Sequence, residues 1–154
     1  MEDIKPTAEH AWLDRFVGEW TTEARMGDEV YKGTETVTRF GPFWVQCVGT
    51  CGMPGGDTGT MVLTLGYDAE AKKFTGTWIG SMMPKLWVYD ITREADGTTL
   101  TMAADGPAMD GNGTAKYRDV IKWIDNDTRE FSGWTQKADG SWSQMMSSTI
   151  RRKK

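Results

Sequence analysis

Lys116-Tyr117-Arg118-Asp119-Val120-Ile121-Lys122-Trp123 alternates between two kinds of side chain. Lys116, Arg118 and Lys122 share one face, while Tyr117, Asp119, Ile121 and Trp123 share the other. A period of two marks a β-strand with one wet face and one covered face. Asp119 is the exception, a carboxylate that points with the apolar set.

The same period runs through most of the chain. About ten Thr-, Val- and aromatic-rich runs follow Gly18, near 18–26, 30–40, 43–52, 58–67, 73–81, 86–94, 98–105, 114–124, 128–137 and 141–151. Asp96-Gly97 and Asp139-Gly140 are tight-turn dipeptides, and Gly55-Gly56-Asp57 and Asp125-Asn126-Asp127 also favour turns. One helix is expected, near residues 8–17, with Thr7 as its N-cap and Trp12, Leu13, Phe16 and Val17 as its apolar stripe. No helix is left to build a parallel crossover, so the strands should follow one another up and down. Closure into a barrel removes the edges that an open sheet of this length would carry. The expected fold is therefore all-β, an antiparallel up-and-down barrel of about ten strands with one short N-terminal helix.

The 154 residues fit a single domain, 1–154, with a basic tail at 151–154 read as a frayed, solubilising end. Lys+Arg is 18 against Asp+Glu 22, a formal charge of −4, which argues against nucleic acid as a partner. The apolar runs are too short to span a bilayer as helices, and Met1-Glu2-Asp3-Ile4-Lys5 is no secretory signal, so the cytoplasm is the expected location. Cys47 and Cys51 on one straight strand would stand about 13 Å apart, too far for a disulfide. Both are read as packing residues. The 8 tryptophans and 10 methionines suit either a dense core or an apolar cavity with a few polar fittings.

Alternation assigns an interior. Trp20, Thr22, Ala24 and Met26 fall together, as do Phe74, Gly76, Trp78 and Gly80, and Trp87, Tyr89 and Ile91. The last run places Trp142, Gln144, Met146 and Ser148 on one face. Lys32, Thr34, Thr36 and Thr38 form a wet face, which puts Gly33, Glu35, Val37 and Arg39 inside, although both faces of 30–52 are plausible. Glu35, Arg39 and Asp119 would then sit among aromatic walls. Arg39 would pair with Glu35 or Asp119, leaving a second carboxylate with a raised pKa.

Catalytic and cofactor signals are weak. Paired interior carboxylates invite general acid/base chemistry, but the pairing rests on periodicity alone. No nucleophile elbow surrounds a serine, and the single histidine, His10, falls on the helix, where a surface position is expected over one at a barrel mouth. The Gly-rich stretch Cys51 to Gly59 lacks the Lys-Ser/Thr of a phosphate loop and reads as a turn or a flap. No cofactor is expected.

Several stretches carry a family resemblance: Pro6-Thr7-Ala8-Glu9-His10, Val17-Gly18-Glu19-Trp20, Leu65-Gly66-Tyr67-Asp68, Phe74-Thr75-Gly76-Thr77-Trp78 and Tyr117-Arg118-Asp119-Val120. Together they resemble the bacterial family called domain of unknown function 1579, over nearly the whole chain. The Gly18-x-Trp20 opening after a short helix is also similar to lipocalin-like barrels of the calycin group. The resemblance implies a calycin-like barrel and supplies no activity. Nitrobindin-like relatives bind haem through a strand histidine that this chain lacks.

The leading expectation is a barrel that binds a small, mostly apolar molecule. Trp20, Trp78, Trp87, Tyr89, Tyr117, Trp142 and Met146 would be its walls, and Glu35, Arg39 and Asp119 would orient a polar end. Two alternatives stand beside it. One is an isomerase or hydrolase with Asp119 or Glu35 as base. The other is a packed barrel acting through its outer face, a candidate homodimer in which Trp44 and Trp134 point outward.

Overall fold

The computed structural model describes residues 3–154. Ten antiparallel strands close into a barrel: β1 (Gly18–Met26), β2 (Glu29–Phe40), β3 (Trp44–Gly52), β4 (Thr58–Asp68), β5 (Lys73–Gly80), β6 (Met83–Arg93), β7 (Thr99–Pro107), β8 (Thr114–Asp125), β9 (Thr128–Gln136) and β10 (Trp142–Arg152). Each strand pairs with its neighbours in sequence, and β1 pairs with β10 to complete the ring. The up-and-down topology expected from the sequence is the one observed. The turns are built as the dipeptides predicted. At Asp96-Gly97, for example, the carboxylate accepts from the Thr98 and Thr99 amides, and Gly97 takes a φ of 73° that other residues disfavour.

The N-terminal segment differs from the single helix expected over 8–17. An α-helix, α1 (Ala8–Trp12), tightens into a 3-10 turn at Leu13–Phe16. A 3-10 turn brings residues three apart into line. Here it drops both Leu13 and Phe16, each fully buried, onto the end of the barrel. His10 is also buried, contrary to the surface position expected for it. Its Nδ1 accepts from the Thr7 amide at 2.9 Å, so its Nε2 carries the proton and donates to the Tyr67 carbonyl at 2.8 Å. The helix therefore closes one end of the barrel, and its lone histidine pins it to β4.

The register of β2 and β3, open on sequence grounds, resolves with Glu35 and Val37 inward on β2 and Val45, Cys47 and Gly49 inward on β3. Below, toward the helix, the inward residues pack solidly. Val37, Val45, Leu65, Ile91, Leu100, Met102 and Ile121 are all essentially inaccessible to solvent. The other end is a mouth framed by the β1–β2, β3–β4, β5–β6, β7–β8 and β9–β10 connections.

The basic end of the chain is not frayed. Arg152 lies within β10 and donates from Nη1 to the Val17 carbonyl at 2.9 Å, and from Nη2 to the Arg15 and Asn126 carbonyls, each at 3.0 Å. Its Nε meets Asp127 at 3.1 Å, and Lys154 reaches the same carboxylate. Three carbonyls and one carboxylate at the closed end thus share the Arg152 guanidinium.

Candidate functional site: a polar floor and an aromatic upper level inside the barrel

The site has two levels. The lower is a polar floor. Glu35 on β2 receives a hydrogen bond from Arg129 Nη2 on β9, and the arginine side chain is almost wholly buried. Burial of a charge is tolerated only with such a partner. The guanidinium also lies 4.6 Å above the Trp20 ring and 5.2 Å from that of Phe16. Arg152 covers Trp20 at 4.2 Å, and the indole N–H donates to the Phe16 carbonyl at 2.9 Å. Trp20 is therefore a buried part of the floor, packed between two cations, and not a wall of an open cavity as its strand parity suggested.

Two of the sequence-based pairings change here. Arg39 shares the inward parity of Glu35, but it lies two residues beyond Val37, where β2 leaves the barrel beside α1. It bonds Asp14 through Nε at 2.7 Å and the His10 carbonyl through Nη2 at 2.7 Å. It pairs with neither Glu35 nor Asp119. The cation that meets Glu35 is Arg129, which sequence reasoning missed. Its signal was present, since Arg129 alternates in phase with Phe131 and Gly133. Arg129 Nη1 and Trp123 Nε1 are buried without an acceptor among the described residues.

Above the floor, packing gives way. Trp78, Trp87, Tyr117, Asp119, Met61 and Met146 all point inward yet remain half-buried. Gly49, inward on β3, has room for a Cβ, which would meet nothing nearer than the Thr34 carbonyl at 3.6 Å and the Met61 methyl at 4.0 Å. Trp78 and Trp87 stand opposite each other on β5 and β6. Trp87 meets Tyr117 edge to face at 5.4 Å. It does so by crossing Gly106 of β7, where a Cβ would fall 2.2 Å from the indole. The β6–β7 ladder pairs only Asp90–Arg93 with Leu100–Ala103, and the Trp87 ring covers the unpaired stretch above it.

Tyr89 and Asp119 form a polar pair among these residues. The Tyr89 hydroxyl donates to Asp119 Oδ2 at 2.6 Å. Burial raises the Asp119 carboxyl to about 6, opposed in part by that hydrogen bond. Burial, then the neighbouring carboxylate, pushes the Tyr89 phenol well above its ordinary value. Asp119 Oδ1 lies against Gly133, where a Cβ would fall 3.3 Å from it and 3.4 Å from Met146. Cys47 lies deeper, and burial raises its thiol far above the reactive range, with Glu35 adding to the effect. Glu35 is held by Arg129, whereas Asp119 is an interior carboxylate with no basic partner among the described residues.

Trp142 is not on the inner face. A bulge between Gln144 and Met146 shifts the register of β10, so Met146 and Ser148 face inward while Trp142 and Gln144 face outward. Outside, Arg118 stacks on Trp142 at 4.4 Å and approaches Trp134 at 5.6 Å. The β3–β4 connection, Met53–Asp57, sits at the mouth and leaves a cleft of about 590 Å³ against Glu29–Lys32.

A family model described as "Protein of unknown function (DUF1579)" matches residues 5–152. No curated protein matches the chain. Among solved structures, the S-type phycobiliprotein lyase CPES from Guillardia theta is similar, with a TM-score of 0.56 and 17% identity over 97% of this chain and 94% of that one. A de novo designed fluorescence-activating β-barrel is similar at a TM-score of 0.50 and 15% identity, over 91% of this chain and 95% of the design. At such identities the likeness is one of fold. No helix among the described residues is long and apolar enough to cross a membrane.

Proposed function

The chain belongs to the DUF1579 family, and we propose that it binds a small, mostly apolar molecule in the upper half of its barrel. The observation that carries this reading is the change in exposure along the interior. Inward Ile91, Leu100, Met102 and Ile121 are sealed, whereas Asp119, Tyr117, Trp78, Trp87, Met61 and Met146, on the inner face toward the mouth, stay partly exposed. Packed cores fill their space, so inward aromatic rings that stay half-exposed point to room left for something else. Trp78, Trp87 and Tyr117 offer rigid apolar walls, and Met61 and Met146 adapt to shape. Barrels of this size have room for one small ligand. The phycobiliprotein lyase and the fluorescence-activating design share the architecture, which supports a barrel that serves small molecules without naming one.

Native mass spectrometry of protein purified gently from its own cells tests the proposal. A reproducible extra mass of a few hundred daltons, lost on denaturation, is the expected result. Bare chain mass in every preparation, with no uptake of added apolar compounds, would overturn it.

A second reading concerns the outer surface. Val48, Ile79, Leu86 and Val88 lie outside on β3, β5 and β6, with exposures of 38–63%. An apolar band of this kind suits a homodimer. Sedimentation of the protein and of Val88→Glu tests it, with a dimer in the first and a monomer in the second expected.

A further inference from the structure

Asp119 is an inward carboxylate among aromatic side chains, with no cation paired to it among the described residues. Its Oδ2 is taken by Tyr89 at 2.6 Å, while its Oδ1, beside Gly133 and Met146, has no hydrogen-bond partner among the described residues. None of the ion pairs among the described residues includes it. The nearby basic side chains are committed elsewhere. Arg118, next in sequence, stacks on the outer tryptophans. Arg129 is bound to Glu35 on the floor. Lys85 lies over Trp87 at 5.0 Å, at the rim.

An ionised carboxylate away from water is costly unless an opposite charge meets it. Aromatic faces attract cations as well. Trp78, Trp87 and Tyr117 stand within one or two strand positions of Tyr89 and Asp119 on the inner face. We propose that the chamber selects organic cations: an apolar or aromatic body bearing an ammonium or amidinium group, the body held by Trp78, Trp87 and Tyr117 and the cationic head by Asp119 Oδ1. This rests on the reading of the barrel as a binding chamber and adds the chemical class of what enters it.

Two near-isosteric probes test it by calorimetry at pH 8: 1-naphthylmethylamine, a cation there, and 1-naphthalenemethanol, which is neutral. The expected result is a preference for the amine on the order of tenfold in the parent protein. Asp119→Asn should abolish that preference while still binding the alcohol. Tyr89→Phe keeps the carboxylate and should keep the preference, which guards against a general loss of fold. Equal affinity for the two probes, or a preference that survives Asp119→Asn, would overturn the cation assignment and leave the chamber intact. Failure of both probes to bind the parent would overturn the chamber reading as well.

Discussion

Arg129 of β9 reaches across the barrel to Glu35 of β2, joining residues 94 positions apart in the chain through a single buried ion pair. Removing one partner strands the other charge in the core. Glu35→Ala and Arg129→Ala should each cost about 3–5 kcal/mol in denaturant unfolding. Replacing both, as Glu35→Leu with Arg129→Met, should cost less than either alone. A double variant as unstable as the sum of the singles would show that the pair is not the source of the effect.

Gly18 opens β1 with φ at 141°, and a Cβ there would lie 2.8 Å from Arg152 Nη1. Gly18→Ala therefore strains the backbone and displaces the guanidinium that gathers the closed end. A loss of about 1–3 kcal/mol is expected in thermal or denaturant melts. Arg152→Lys, which cannot serve the Val17, Arg15 and Asn126 carbonyls together, should lower stability in the same direction.

The raised carboxyl of Asp119 makes stability fall as pH rises. The folded protein holds this proton more tightly than the unfolded chain, so the fold loses stability from about pH 4 to about pH 6 and the loss then levels off. Asp119→Asn keeps an acceptor for Tyr89 and removes the charge. It should be more stable than the parent by about 1–3 kcal/mol at pH 8, with the difference shrinking toward pH 4. Paired melts across that range read out the difference, and an asparagine variant that is less stable at pH 8 would contradict it.

The bulge in β10 separates two tryptophans by role. Trp142→Ala removes the outer stack on Arg118 and should leave ligand affinity unchanged. Trp78→Ala removes an inner wall and should weaken binding of any apolar probe by about tenfold or more. Matched titrations of the two variants decide the assignment.

Alternation exposed much of this architecture because it records which side of a strand is wet. Tyr117, Asp119, Ile121 and Trp123 point inward as their period implies. Glu35 does too, and so do Trp87 and Tyr89, although Leu86 and Val88 opposite them are nearly as apolar. Three things lay outside its reach. A one-residue bulge between Gln144 and Met146 turns Trp142 outward, and no residue type announces it. Depth along a strand is not encoded in parity, so Trp20 and Arg39 share the inward phase yet lie on the floor and at the closed end. Long-range pairing is the third: Glu35 meets Arg129 only because β1 and β10 close the ring between β2 and β9.

The chamber itself is tested most directly by filling it. Gly49 faces inward and a Cβ there would meet nothing nearer than 3.6 Å, so Gly49→Leu is the substitution predicted to occupy the proposed ligand space beside Met61. The measurement is a fluorescence titration with N-phenyl-1-naphthylamine, excited through the tryptophans, on the parent and on this variant. Saturable one-to-one binding to the parent, weakened by about tenfold or more in Gly49→Leu at undiminished stability, is the predicted result. No saturable binding to the parent, or equal binding to both proteins, would contradict the account.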